Sequence, residues 1–196
     1  MTMANPLTRS DLMSLEQYSQ QRRDFRNRVI AHKKNRRVGI GPHLFLYFED
    51  RLTIQYQVQE MLRIEKIFES EGIEEELDAY NPLIPDGRNL KATAMLEYQE
   101  ITERKRQLAL LKGIEDLIWI QVEGFDPVYA IANEDLERSN EEKTSAVHFM
   151  RFELEPDMIA ALREGASLKM GSSHQFYRHS TDIEPRIREA LLADLD

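Results

Sequence analysis

The sequence contains no cysteine among its 196 residues. This absence excludes disulfide bonds, thiolate nucleophiles, cysteine-ligated zinc and iron–sulfur clusters held by the chain itself. No cofactor can therefore be bound through cysteine. Any redox role would depend on a partner protein.

Long apolar runs are also missing, because no stretch approaches the roughly 20 residues that a membrane-spanning helix needs. The polar start, MTMANPLTRSD, lacks the charged-then-apolar order of a secretory signal. We therefore expect a soluble, cytoplasmic protein with no membrane association. With 41% hydrophobic residues the chain can build one core, and we expect a single domain over residues 1–196.

Basic residues are fewer than acidic ones, and they are concentrated in one place. The chain has 26 Lys and Arg against 35 Asp and Glu, yet Arg22 to Arg37 holds eight basic residues and one acid, Asp24. The rest of the chain has 18 basic and 34 acidic residues, which disfavours binding to nucleic acid phosphates. The basic run can instead pair with carboxylates of the chain, such as the six in Glu69–Asp78, or dock on an acidic protein partner.

The basic run lies on a predicted amphipathic helix over residues 10–37. Ser14 and Gln17 have the spacing of a capping box at its start. Spacings of seven, four and three mark one buried stripe, formed by Tyr18, Phe25, Val29 and His32. The basic side chains occupy the opposite and flanking faces, and we expect the helix to end near Arg36, before two glycines.

Strand and helix patterns alternate through the rest of the chain. We predict a hairpin over HLFLYFEDRLTIQYQVQ with a turn near Glu49–Arg51, followed by a helix that ends at Gly72. Turn-forming residues dominate DAYNPLIPDGRN, and Pro156 and Gly165 delimit a later helix. The sum is an α+β fold, with an antiparallel sheet packed by helices and the long basic helix leading.

Familiar catalytic motifs are absent. GIGPH follows a helix, precedes a strand and lacks a third glycine, unlike a dinucleotide-binding fingerprint. There is no G-x-S-x-G nucleophile elbow. The histidine spacings match neither the zincin nor the di-iron signature. The residues alone leave open whether the chain is an enzyme.

Two sets of residues remain as candidate sites. The candidate docking residues are basic side chains of the run: Arg22, Arg26, Lys33, Lys34, Arg36 and Arg37. A composite histidine and carboxylate site could form beside the turn-rich loop, and its candidate residues are His43, Glu49, Tyr80, Asn81 and Asp86. The candidate metal ligands are His43, His148, His174 and His179.

Each set has a structural alternative. His148 alternates with Met150 and Phe152, which is typical of a histidine that is bonded inside the core. His32 on the buried stripe has the same interpretation. The turn-rich loop could be a connector fixed by two prolines, and the basic run could be solvated or paired within the chain.

Five longer strings stand out from the rest: VIAHKKNRRV, GPHLFLYFEDRLTIQYQVQEMLRIE, ELDAYNPLIPDG, LKATAMLEY and KTSAVHFMRFEL. Together they resemble a bacterial protein family of unknown function, the one numbered 3501, from about Leu12 to the C-terminus. The chain departs from the family pattern at GSSHQFY, which keeps His174 and Tyr177 but has no Asp. The family supplies no activity and no catalytic residues.

The resemblance implies that genes of this family lie near genes for rubrerythrin-like proteins and for iron–sulfur oxidoreductases of the heterodisulfide-reductase type. We therefore expect an accessory or docking partner of such a redox system, which would bind an acidic partner through Arg22–Arg37. The alternative is a small metal-binding protein or enzyme with the composite histidine and carboxylate site.

Overall fold

The computed structural model describes residues 5–134 and 143–196. The helices in these ranges are α1 (Leu15–Lys33), α2 (Arg51–Glu65), α3 (Ser70–Tyr80), α4 (Ile101–Leu110), α5 (Pro156–Arg163) and α6 (Pro185–Leu192). The strands are β1 (Arg37–Ile40), β2 (Leu44–Glu49), β3 (Asn89–Leu96), β4 (Ile118–Val122), β5 (Val128–Tyr129), β6 (Ile131–Ala132), β7 (Val147–Glu153), β8 (Leu168–His174) and β9 (Tyr177–Asp182). Residues 135–142 of the charged stretch NEDLERSNEEKT lie outside the described ranges.

The strands form two antiparallel sheets. The first has the order β1-β2-β3-β7-β6 and the second the order β5-β4-β8-β9. Every pair in both sheets is antiparallel. The predicted α+β class is confirmed, with the strands divided between two sheets.

One apolar core lies between the sheets because alternate residues of each strand point inward. Leu44, Leu46 and Phe48 of β2 are all buried in it, together with Ile120 of β4. The side chain of Tyr177 joins the two sheets at their edges. Its hydroxyl donates to the Ile40 carbonyl at 2.7 Å and accepts from the Leu44 N–H at 2.9 Å.

The helices α1, α2 and α3 pack together outside this core. Tyr18, Phe25 and Val29 are buried on one side of α1, as the spacing predicted. A separate cluster joins α2 to α3, through Ile54, Val58, Leu62 and Leu77. These contacts hold the basic helix on the body of the protein and decide which of its side chains reach solvent.

The basic helix is shorter than predicted. The capping box is confirmed, since Ser14 Oγ accepts from the Gln17 N–H at 3.2 Å, and α1 begins at Leu15. It ends at Lys33, after which a turn leads directly into β1. Arg36 therefore lies outside the helix, and only 2% of it is exposed.

The predicted hairpin is wrong. Its first half is the strand β2, but its second half belongs to the helix α2. The alternating letters TIQYQVQ imitate a strand, but Ile54, Val58 and Leu62 are four residues apart and form a helical stripe. Asp50 also starts a helix here. Its carboxylate accepts from the Thr53 N–H at 2.9 Å.

The predicted helix end at Gly72 is also wrong. Lys66 takes the left-handed conformation (φ 58°) that ends α2, and Gly72 lies inside the first turn of α3. A side chain at Gly72 would crowd Ile67, because a Cβ there would lie 2.8 Å from Ile67 Cγ2. The helix boundaries at Pro156 and Gly165 are confirmed by α5.

Candidate functional site

One side of α1 presents a mostly cationic surface to solvent. We call it the basic face, and it consists of Arg23, Arg26, Ile30, Lys33 and Lys34. The spacing of three and four residues places these side chains on neighbouring positions of the helix. Ile30 is an exposed apolar residue among them, with 46% of its surface accessible.

Among the described residues, little neutralises the basic face. The guanidinium of Arg23 lies 3.3 Å from Asp24, but both side chains are more than three-quarters exposed. Across residues 5–134 and 143–196, no carboxylate lies within 4.0 Å of Arg26, Lys33 or Lys34. An exposed ion pair such as that of Arg23 with Asp24 contributes little to stability, and salt screens it.

Arg22, another predicted docking residue, is held by α2. Its Nε and Nη2 donate to the carboxylate of Glu60 at 2.8 and 2.9 Å. Tyr18 Oη also donates to Glu60, at 2.6 Å. The hydrogen bonds from Arg22 lower the pKa of Glu60 to about 2. This pair joins α1 to α2, and Arg22 contributes to packing of the helices.

Arg36 is part of a buried network and is not a surface residue. Its guanidinium donates to the Phe48, Glu49 and Ala190 carbonyls at 3.1, 3.2 and 3.0 Å. It also contacts the carboxylate of Asp194 near the end of α6. Arg36 thereby ties the start of β1 to the end of β2 and to the C-terminal helix.

Asp50 and His32 complete this network. Asp50 Oδ2 lies 3.4 Å from Arg36 Nη1 and 2.5 Å from His32 Nε2. Burial raises the pKa of Asp194 to about 6, although the nearby Arg36 opposes that shift. The spacing predicts a core position for His32, but about one third of its side chain (34%) is exposed. It is half-buried, and its partner is the carboxylate that caps α2.

Arg37, the next residue, lies on the outer side of the first sheet. Its guanidinium carbon is 3.9 Å from the centre of the Phe45 ring, and its Nε donates to Tyr47 Oη at 3.0 Å. Among the described residues, no ion pair joins Arg22–Arg37 to the acidic segment Glu69–Asp78. The internal partners of the basic run are therefore other carboxylates.

His43 lies at one end of the outer side of the first sheet. It stacks on Tyr98 with ring centres 4.2 Å apart, and its Nδ1 lies 2.9 Å from the Glu97 carbonyl. These residues, with Glu103 and Arg104 nearby, line an open cavity of about 660 Å³. Burial raises the pKa of Tyr98 to about 12.

Glu49 lies at the opposite end of the same strand. It lines a second, smaller cavity of about 330 Å³ together with Lys91 and Arg151. Glu49 and His43 are six positions apart along extended chain, which corresponds to roughly 20 Å. The structure therefore does not bring these two candidate residues into one site.

The turn-rich loop mainly makes structural contacts. The Asn81 side-chain amide bonds the backbone of Leu7 in both directions, at 2.7 and 2.9 Å, and so anchors the N-terminal segment. Asp86 Oδ1 accepts from the Arg88 N–H at 3.1 Å within the loop itself. Tyr80 is half-buried against the cluster that joins α2 and α3, and burial raises its pKa.

The remaining histidines are dispersed. His148 is buried, with Nε2 2.9 Å from Thr144 Oγ1 and Nδ1 3.0 Å from Asn133 Nδ2, so the interpretation as a bonded core residue is confirmed. His174 Nε2 lies 3.2 Å from the Lys112 carbonyl, and His179 packs edge-on against Tyr177.

Within residues 5–134 and 143–196, no three His, Asp or Glu side chains are grouped closely enough to hold a metal ion. The four histidines proposed as ligands therefore do not form a centre among the described residues.

Sequence reasoning missed Lys91, which faces Glu49 across the β2–β3 pair. It also missed Asp194, the partner of Arg36. Neither had a local signal, because strand register and the position of α6 decide both contacts. Arg23 was in the basic run but not among the residues named for docking, and its helical position relative to Lys34 could have identified it.

Comparisons with known proteins agree with this description. A crystal structure of a protein of unknown function from Burkholderia pseudomallei K96243 is 54% identical, with a TM-score of 0.92 and coverage of 100% of both chains. No curated protein matches the chain. None of the helices in the described ranges is both long and apolar enough to cross a membrane. The family model described as "Protein of unknown function (DUF3501)" matches residues 6–195, and the chain belongs to this family.

Proposed function

We propose that this protein is an accessory subunit that docks on an acidic protein through the basic face of α1. The observation that carries the proposal is that Arg26, Lys33 and Lys34 have no carboxylate within 4.0 Å in the described part of the chain. The net charge is −9, so a cluster of unneutralised cations on one helix contrasts with the rest of the protein. Opposite charge on a partner would steer association and fix its orientation.

Ile30 would be covered together with the cations when a partner docks on the basic face. It lies between Arg26 and Lys34 on the same side of the helix, and 46% of it is accessible. Its burial would add a small apolar contribution to association. The proposed partner is an iron–sulfur or rubrerythrin-type protein. This assignment rests on the family resemblance and on the absence of cysteine from this chain.

An anaerobic affinity purification from the source organism tests the proposal. The tagged protein is captured at low salt, and the eluted proteins and metals are identified together. We expect an iron–sulfur or rubrerythrin-like protein at comparable stoichiometry, released as salt rises, because exposed charges are screened. Recovery of the tagged protein alone would contradict the docking role, and recovery of a partner without iron would contradict its redox assignment.

A double charge reversal, Arg23→Glu with Lys34→Glu, provides the residue-level test. Both side chains are exposed, so the fold should be retained and the association lost. The matched control reverses two exposed charges elsewhere, Lys105→Glu with Arg178→Glu. Association that survives the first pair, or is lost equally with the second, would refute docking through the basic face.

A further inference from the structure

The carboxylate of Glu49 is buried without a cation beside it. Only 4% of the residue is exposed. Thr93 Oγ1 donates to one of its oxygens at 2.8 Å and Thr53 Oγ1 donates to the other at 2.6 Å. Among the described residues, no Lys, Arg or His nitrogen lies within 4.0 Å of either carboxylate oxygen, although Arg36 Nη2 donates to the backbone carbonyl of the same residue at 3.2 Å.

Such isolation is unusual, because buried charges are normally paired or coordinate a cation. A carboxylate offers about four lone-pair sites, and the two hydroxyl groups occupy two of them. Glu49 therefore has acceptor capacity left for a donor that is not part of the described chain.

Lys91 is the natural partner by position, but its ammonium group points elsewhere. Glu49 and Lys91 face each other directly in the β2–β3 pair, where side chains start about 5 Å apart. Lys91 Nζ instead donates to the Pro82 carbonyl at 2.5 Å. Burial lowers the pKa of Lys91. Two opposite charges are thus held near each other without forming an ion pair.

Both groups line the cavity of about 330 Å³ at this end of the sheet. The other walls are largely apolar and include Leu83, Phe149 and Met150. Arg151 also lines it, but its guanidinium is occupied by Glu134 at 2.6 and 3.0 Å and contacts Glu153. Glu134 lines the cavity as well, so that the walls carry two acidic and two basic side chains, of which Arg151 and Glu134 pair with each other. Glu49 and Lys91 are the two that form no ion pair within 4.0 Å among the described residues, in a space within the size range of ligand pockets.

We propose that this cavity binds a zwitterionic amino acid with an apolar side chain, its ammonium group on Glu49 and its carboxylate on Lys91. One molecule then places a cation beside Glu49 and an anion beside Lys91, neither of which has an ion-pair partner within 4.0 Å among the described residues, although the carboxylates of Asp86, Glu134 and Glu153 act on Lys91 from farther away. The apolar side chain packs against Leu83 and Met150. A metal ion is a poorer fit, because one carboxylate and two hydroxyl groups do not make a usual ligand set.

Three matched compounds test whether binding needs both charged groups of the amino acid. L-Leucine carries both charged groups, 3-methylbutylamine keeps only the ammonium group, and 4-methylpentanoate keeps only the carboxylate. Isothermal titration calorimetry on the full chain should give the tightest binding for an apolar L-amino acid from a panel of the standard set. Each half-molecule should bind at least about tenfold more weakly, because a hydrogen bond to a charged group is lost.

Two variants assign the contacts to residues. Glu49→Gln keeps the shape and removes the charge; one threonine hydroxyl can still donate to the amide oxygen, and the other must turn to accept from the amide NH2. Lys91→Met removes the ammonium group. Each should weaken amino acid binding by roughly tenfold to a hundredfold. The matched control is Glu97→Gln, because Glu97 directly follows β3 at the far end of the same sheet and lines the other cavity. Circular dichroism shows whether each variant is folded.

Binding measurements on the wild-type protein and on the variants can each refute the proposed amino acid site. Absence of binding for every amino acid in the panel would overturn the proposal without any variant. Equal binding of leucine and 4-methylpentanoate would refute the role of Glu49. Binding that is unchanged in a folded Glu49→Gln variant would do the same.

Discussion

Replacement of Arg36 by methionine should strongly destabilise the protein, although Arg36 belongs to a basic run that looks like surface in the sequence. Methionine keeps most of the length and the apolar part of the side chain but removes the guanidinium group. Three backbone carbonyls then lose a donor, those of Phe48, Glu49 and Ala190. Asp194 loses a contacting cation and Asp50 one at 3.4 Å.

The magnitude follows from these contacts. Removal of one partner from a buried ion pair costs about 3–5 kcal/mol, because the other charge stays buried. Counted instead through the three orphaned carbonyls, at about 1 kcal/mol each, the loss is about 3 kcal/mol, which falls at the lower end of the same range. Typical domains unfold with about 5–15 kcal/mol, so this substitution should remove a large part of the stability.

Urea denaturation followed by circular dichroism measures the effect. With a slope of about 2 kcal/mol per molar urea, the midpoint should fall by roughly 2 M. Arg37→Met is the matched control, because the exposed Arg37 stacks on Phe45 and should cost only about 0.5–1 kcal/mol. A loss at Arg36 no larger than the loss at Arg37 would refute the interior assignment.

Two further predictions concern Asp194 and Gly171. Burial raises the pKa of Asp194 to about 6. Between pH of about 4 and 6 the folded protein therefore keeps a proton that the unfolded chain has lost, and stability should fall by roughly 2–3 kcal/mol as pH rises. Asp194→Asn should flatten that part of a stability–pH profile, and an unchanged slope would contradict the shift. A Cβ at Gly171 would lie 2.4 Å from the ring of Trp119. Gly171→Ala should cost about 1–3 kcal/mol and alter tryptophan fluorescence, whereas Gly39→Ala, with a nearest contact of 3.1 Å, should do less; equal effects would contradict the crowding.

The parts of the fold that the sequence predicted well are those with local signals. The capping box at Ser14 and Gln17, the proline at the start of α5 and the glycine after it each act within a few residues. The segment of α2, which the sequence pattern predicts as a strand, also has local signals, but two of them compete. Alternation in TIQYQVQ favours a strand, while the Asp50 cap and the four-residue apolar spacing favour a helix, and burial against α1 and α3 decides for the helix.

The candidate site was less predictable because its contacts are long-range. Arg36 meets Asp194, which is 158 positions away in the chain. The sequence identifies Glu49 as a candidate, but not that its carboxylate has no ion pair with Lys91. That depends on the strand register, which places Lys91 opposite Glu49, and on the Pro82 carbonyl, to which Lys91 Nζ donates instead. No spacing pattern within one segment encodes such contacts.

The different positions of the basic residues decide which variants can test docking. A charge reversal at Arg36 would place a third carboxylate beside Asp50 and Asp194 and should unfold the protein. An unfolded variant would fail to bind any partner, whether or not Arg36 takes part in docking. A reversal at Arg22 would break the pair with Glu60 that joins α1 to α2. Arg23 and Lys34 avoid both problems, because their charged groups are in solvent and the fold does not depend on them. Only loss of association in that folded double variant separates a docking surface from a structural one.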